Sequence, residues 1–295
     1  MSLQVSKESP NYDSISYEDI LNCKKLTDVE IEKEWSKLKK LNCKNNTRSF
    51  CGNKIIYHYV LENMLNTRRD KKNYKLLSEI FDDEELKIKM IDATIKAQRR
   101  KKLEYIEAVD IYECYRFHKG SINTFKAGCV KWLINRYKAT KMLDFTAGWG
   151  GRLLGARASN IEYIGIETNT KLKPAYDEMI SKFGGEMIYD NCMNVDFSKI
   201  DYDFVLTSPP YINLEKYEMM TEFSSKENYY KEFLIPMINK AIKHIRNNGV
   251  VCINISNPMY NDYIKYGGVK CKAEVIALQQ QLGGKKNKEG IYVFN

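Results

Sequence analysis

Four consecutive residues, Ser208-Pro209-Pro210-Tyr211, end the apolar run Asp203-Phe204-Val205-Leu206-Thr207 and carry the most specific chemistry in the chain. Two prolines fix the backbone of the turn and remove two amide donors, so carbonyl oxygens are free to act as acceptors. Acceptors suit an amine. An amino group on a heteroaromatic base has its lone pair delocalised into the ring, and an electrophile can take that pair only as the nitrogen becomes pyramidal. Oxygens on its two N–H bonds, here the Ser208 side chain and the Pro209 carbonyl, would favour the pyramidal nitrogen of the transition state. Tyr211 offers an aromatic face on which an extruded base can stack. This chemistry requires no metal.

A second constellation lies upstream. Leu143-Asp144-Phe145-Thr146-Ala147-Gly148-Trp149-Gly150-Gly151-Arg152-Leu153 reads as a strand ending in a glycine-rich turn that opens a helix. Glycines let the backbone turn sharply and approach a ligand with no Cβ in the way. Further on, Tyr163-Ile164-Gly165-Ile166-Glu167 is a second strand ending in an acid, placed to accept hydrogen bonds from ribose hydroxyls. A nicotinamide enzyme would need G-x-G-x-x-G, but Leu153 stands where the third glycine belongs. The phosphate loop of nucleotidases, G-x-x-x-x-G-K-[ST], is absent from the sequence.

The elements that must position these residues follow from periodicity. From Tyr115 onward, short β-branched runs (142–145, 163–166, 186–189, 204–206, 250–255, 291–294) alternate with helical patterns (124–137, 152–158, 172–183, 229–246, 273–282). Such alternation predicts a doubly wound, Rossmann-like α/β sheet with helices on both faces and ligands at the carboxyl ends of its strands. Residues 17–100 read as helices, near 17–41, 55–65 and 74–97, ending in the basic run Arg99-Arg100-Lys101-Lys102. The division expected is a smaller, basic helical domain over 1–114 and an α/β domain over 115–295. The basic run is a candidate phosphate contact, or a solvated helix end.

The order of these features resembles the amino-group DNA methyltransferases, whose catalytic motif is [D/N/S]-P-P-[Y/F]; the resemblance spans roughly Tyr115 to Asn295. It implies S-adenosylmethionine as cofactor, lined by Asp144, Thr146, Ala147, Gly148 and Gly150, with Glu167 on its ribose and Asp190 and Asn191 toward its adenine. Asp144 would support the loop and the cationic methionine portion. Phe125 falls where the family places an aromatic residue near that methionine end, and 288–294 resembles the usual closing strand. Ser208, Pro209, Pro210 and Tyr211 would be catalytic, acting on N4 of cytosine or N6 of adenine; serine before the prolines leans slightly to cytosine. The partner implied is DNA, with target recognition by the N-terminal helices and by the loops after Tyr211 and Asn257. Compact viral and phage enzymes of this kind fit the composition.

Composition agrees with a polyanionic partner, the formal net charge being +9 with a pI near 8.9. No secretory signal and no membrane-length apolar run is visible, so an intracellular, soluble protein is expected. The eight cysteines form no C-x-x-C pair and there are three histidines, which argues for reduced thiols and against a zinc site. No cysteine follows a proline, which disfavours C5 methylation of cytosine. Two alternatives remain: an RNA base methyltransferase, since the same acceptors serve any exposed base amine, and a nucleic-acid-binding subunit that has lost catalysis. The segment 212–228, with Tyr217 and Phe223, is a candidate cover for a flipped base, and Tyr260 and Tyr263 are candidate walls of its pocket.

Overall fold

The computed structural model describes residues 4–43, 49–69, 75–98, 104–119, 122–211, 215–216, 221–271, 276–277 and 289–294. The first part is helical: α1 (Tyr17–Asn22), α2 (Asp28–Lys40), α3 (Asn53–Leu65), α4 (Leu77–Phe81), α5 (Glu84–Gln98) and α6 (Ala108–Lys119). Ser16 and Thr27 start α1 and α2 through reciprocal capping boxes with Asp19 and Glu30. The single helix expected over 74–97 is broken in two. Asp83 interrupts it, its carboxylate accepting from the Leu86 amide (3.2 Å) at the head of α5. An unanticipated antiparallel pair, β1 (Gln4–Ser6) with β3 (Tyr105–Glu107), ties the two ends of this region together.

The helices do not form one isolated body. Ile31, Trp35 and Leu38 of α2 and Ile55, Ile56 and Val60 of α3 share a core with Met142, Leu153, Tyr176 and Leu206 of the α/β part. Only α1, α4, α5, α6, the β1–β3 pair and the end of α3 close around a separate core of Val5, Ile20, Leu61, Leu65, Ile91 and Tyr112. The anticipated 114/115 boundary falls inside α6. The buried Lys131 amine fastens the seam by donating to the Leu38 and Lys39 carbonyls at the end of α2, both at 2.7 Å. Burial pushes the Lys131 pKa down.

The α/β part is a seven-stranded sheet. Strands β4 (Lys141–Asp144), β5 (Glu162–Ile166), β6 (Glu186–Ile188), β7 (Phe204–Thr207) and β9 (Val250–Ser256) run parallel. β11 (Glu289–Phe294) lies antiparallel between β9 and β10 (Ile276–Ala277), giving the order β10-β11-β9-β7-β4-β5-β6. Alternate residues face opposite cores. Met142, Leu206 and Cys252 pack on α7 (Ala127–Tyr137), α8 (Gly151–Ala158) and α9 (Lys173–Phe183). Leu143, Val205, Val251 and Ile253 pack on α11 (Ile235–His244), which continues α10 (Lys226–Asn228) through the π turn Tyr229–Leu234. Helices on both faces of a mostly parallel sheet are the Rossmann-like architecture that the alternation predicts.

Two details differ from expectation. Ile276 and Ala277, expected within a helix, form β10, because β11 offers an open edge with which they pair. The loop expected after Asn257 is a helix, α12 (Asn257–Lys265), started by the Ser256 side chain on the Met259 amide and by proline in its first turn. Beyond Tyr211, β8 (Glu215–Lys216) pairs with β2 (Arg68–Arg69), joining the segment after the tetrapeptide to the one after α3.

Candidate active site

From β4 the chain builds outward through β5 to β6, then crosses to the opposite side of β4 for β7. The β4/β7 boundary is therefore the switch point, where loops from neighbouring strands diverge and leave a crevice at the carboxyl ends. The glycine turn leaves β4 on one side of this boundary and Ser208-Pro209-Pro210-Tyr211 leaves β7 on the other.

Asp144 stitches the two together. It is 0% exposed, and both of its oxygens are engaged within the protein. Oδ2 accepts from Arg152 Nε at 2.7 Å and from the Tyr163 hydroxyl at 3.0 Å. Oδ1 accepts from the Thr207 hydroxyl at 3.0 Å and from the Thr146 amide at 3.4 Å. The Thr146 and Thr207 hydroxyl oxygens lie 2.5 Å apart, so the last residue of β7 is hydrogen-bonded directly to the loop after β4. Asp144 supports the loop, as expected of an acid before the glycine turn. Its charge is compensated by Arg152, which is itself buried and also donates to the Thr146 carbonyl. Burial drives the Tyr163 pKa well up, so this hydroxyl stays a donor.

The turn itself has the backbone that its glycines predict. Gly148 and Gly150 have φ of +62° and +82°, a region that residues with a Cβ rarely adopt. A Cβ at Gly148 would meet nothing nearer than 3.8 Å, so the loop is open on that side. At Gly151, which the motif reading passed over, a Cβ would lie 2.0 Å from the Phe125 carbonyl oxygen. This close approach brings Phe125 to the turn, with the Arg152 guanidinium 5.4 Å from its ring centre. The Gly148 carbonyl accepts from the Tyr176 hydroxyl at 2.9 Å.

Glu167 follows β5. Its carboxylate accepts from the Gly148 amide at 2.7 Å and the Asn169 amide at 2.9 Å. Burial raises its pKa above the usual 4.5, against the two amides, which lower it. Asp190 and Asn191 follow β6, and Asp190 is exposed, accepting from the Asn191 amide at 2.6 Å. Asn191 donates to Thr221, beyond the tetrapeptide, at 3.1 Å. Phe125, the glycine turn, Glu167, Asp190–Asn191 and Ser208–Tyr211 thus all meet at the carboxyl edge of the sheet.

Three residues from distant elements surround the tetrapeptide. The buried Tyr229 hydroxyl donates to the Pro210 carbonyl at 2.8 Å. Glu289, at the start of β11, lies beside Tyr211, and desolvation raises its pKa. Asn254 Nδ2 donates to Ser208 Oγ at 3.2 Å. Motif reading missed all three, since each is distant in sequence; a lone asparagine inside Val250–Ser256 was the one available signal.

Other candidates fall elsewhere. Tyr263 is 0% exposed and its hydroxyl accepts from the Val269 amide, while Tyr260 stacks on Tyr292 at 4.0 Å and accepts from the Cys271 amide. Both serve packing. Phe223 packs on Tyr229 and Phe233. Arg99, Arg100, Lys101, Lys102 and Tyr217 lie outside the described residues. Among the described residues no group of histidines, cysteines and acids could hold a metal, and no helix is long and apolar enough to cross a membrane.

No protein-family model and no curated protein matches the chain. Among solved structures it is similar to an rRNA methylase from Streptococcus thermophilus, at 11% identity and a TM-score of 0.41, over 59% of this chain and 99% of that one. It is similar to TrmN from Thermus thermophilus, at 14% and 0.41, over 57% and 48% of the two chains. An RNA methyltransferase from Salinibacter ruber, solved with S-adenosyl-L-homocysteine, gives 14% and 0.37, over 59% and 92%.

Proposed function

We propose that the protein is an S-adenosylmethionine-dependent methyltransferase acting on the exocyclic amino nitrogen of a nucleic-acid base, N4 of cytosine or N6 of adenine, in DNA. One observation carries this reading: Ser208-Pro209-Pro210-Tyr211 leaves β7 directly across the switch point from the Gly148–Gly150 turn, and Asp144, Thr146 and Thr207 bond the two loops together.

The residues present fit the cofactor. Gly148 leaves space where a Cβ would stand, Glu167 presents a carboxylate beside it, and Phe125 brings an aromatic ring to the turn. Gly148, Gly150 and Phe125 would hold the methionine end, Glu167 the ribose, and Asp190 and Asn191 the adenine. Bound there, S-adenosylmethionine supplies an electrophilic methyl group on sulfur.

The remaining work belongs to the chain. Ser208 Oγ and the Pro209 carbonyl accept the N–H bonds of the amine and release its lone pair from the ring. Tyr211 presents its ring to an extruded base, and Tyr229 fixes the turn through Pro210. The β2–β8 pairing places N-terminal chain beside the segment after Tyr211, in keeping with target recognition by that region and with the net charge of +9.

The test is incubation with labelled S-adenosylmethionine and, separately, unmethylated DNA and RNA, followed by digestion and nucleoside mass spectrometry. Label on N4-methylcytosine or N6-methyladenine from DNA is expected. Label from RNA alone would transfer the reading to RNA, and no label from either would reject it. Pro209→Ala and Tyr211→Ala should abolish transfer while leaving cofactor affinity nearly unchanged.

A further inference from the structure

Asn254 sits in the sequence Val-Val-Cys-Ile-Asn-Ile-Ser of β9, the single amide among apolar neighbours. Its side chain is 6% exposed. Asparagine is a poor strand former, and burying its amide is unfavourable unless both ends are hydrogen-bonded. Only one end is. Nδ2 donates to Ser208 Oγ at 3.2 Å, whereas Oδ1 is buried with no hydrogen-bond partner among the described residues. A buried carbonyl oxygen left without a donor needs an explanation.

Its place in the sheet supplies one. Ile253 is in register with Thr207 on β7, so Asn254 stands beside Ser208, the first residue of the tetrapeptide, with β11 on its other side at Ile291. Ser208 Oγ has two lone pairs and Asn254 occupies one, leaving one for a substrate N–H. The carboxamide oxygen is attached to the same carbon as the nitrogen that contacts Ser208. The unpartnered oxygen is thus carried on the same planar group that holds Ser208.

We propose that Asn254 Oδ1 shares one N–H of the exocyclic amine with Ser208 Oγ in a three-centre hydrogen bond, the other N–H going to the Pro209 carbonyl, which makes Asn254 a substrate-contacting residue that also orients Ser208. This rests on the amino-methyltransferase reading above. It accounts for the orphan oxygen as an acceptor kept for a ligand's donor, at a cost in stability to the free protein.

Asn254→Leu separates this role from a structural one. Leucine is close in volume and removes the orphan oxygen, so the melting temperature should be no lower than that of the parent chain. Methyl transfer from labelled S-adenosylmethionine to unmethylated DNA should fall on the order of 100-fold in kcat, as for loss of one preorganised hydrogen-bonding group at a reacting centre. Cofactor affinity by calorimetry should stay within about threefold, because no contact to the glycine turn is lost. Asn254→Asp keeps an acceptor oxygen and should transfer faster than Asn254→Leu. A fall in melting temperature with transfer per folded molecule unchanged would overturn the proposal, as would an aspartate variant no faster than the leucine one. If the parent chain labels neither DNA nor RNA, the amino-methyltransferase reading itself fails, and the assignment of Asn254 falls with it.

Discussion

Arg152→Met tests whether the buried Asp144 hub holds the site together. In the folded protein Arg152 Nε lies 2.7 Å from an Asp144 carboxylate that is 0% exposed, and the guanidinium also braces the Thr146 carbonyl. Methionine fills much of the arginine stem's volume but leaves the carboxylate charged and unpaired. Breaking a buried pair on one side costs about 3–5 kcal/mol. The hydrogen bonds from Tyr163 and Thr207, both at 3.0 Å, continue to solvate the carboxylate, which places the loss near the lower end, about 3 kcal/mol. For a chain of this size that corresponds to a melting-temperature drop on the order of 10 °C. Urea denaturation followed by tryptophan fluorescence measures it. The charge argument makes a sharper statement through Asp144→Asn. In the parent background this substitution weakens the pair and destabilises; in the Arg152→Met background it removes the unpaired charge and restores stability. A reversal of sign is expected from the double-mutant cycle. Arg152→Met within about 1 kcal/mol of the parent, or Asp144→Asn destabilising equally in both backgrounds, would refute the hub as an electrostatic element.

Three further outcomes follow from the geometry. Gly151→Ala places a Cβ 2.0 Å from the Phe125 carbonyl oxygen, so backbone must move, at a cost of about 1–3 kcal/mol in stability and a measurable loss of cofactor affinity by calorimetry. Glu167, whose pKa burial raises above 4.5, would accept from ribose hydroxyls best when ionised under the proposed cofactor placement, so cofactor affinity should fall as pH drops through that raised value, and Glu167→Gln should flatten the dependence. For stability the sign reverses: this group favours folding most below the unfolded-state value and contributes less as pH rises through the folded one, which pH-dependent denaturation can check. Tyr229→Phe removes the 2.8 Å bond to the Pro210 carbonyl and should lower kcat on the order of tenfold with cofactor affinity unchanged.

The sheet was legible because its strands are short β-branched runs closed by turn signals, and the order of glycine turn, acid and tetrapeptide along the chain placed all three at strand ends. What escaped was set by tertiary pairing. The β1–β3 pair joins residues a hundred positions apart through three-residue strands, too short for periodicity to mark. Ile276 and Ala277 became a strand because the β11 edge was available, a fact outside their own sequence. Asp144 was visible as an acid before a glycine turn, but its neutralisation depends on Arg152, beyond that turn in α8, and on Tyr163 a strand away.

The same distinction separates binding groups from positioning groups in the site. Residues proposed to contact ligand lie on loops next to glycine or proline, where local sequence dictates backbone shape, so motif reading finds them. Residues that hold those loops come from other elements: Thr207 from the strand before the tetrapeptide, Tyr229 from the π turn, Tyr176 from α9, Asn254 from β9. Three of these four have hydroxyls donating into the site's backbone or its buried acid, and their hydrogen-bonding capacity is used within the protein. Of these four residues, Asn254 is the one with a buried polar atom that lacks a hydrogen-bond partner. A group that only positioned Ser208 would gain nothing from a second, unsatisfied polar atom, and serine or threonine could supply the single donor. The unsatisfied oxygen is thus the feature on which the proposed contact with substrate rests.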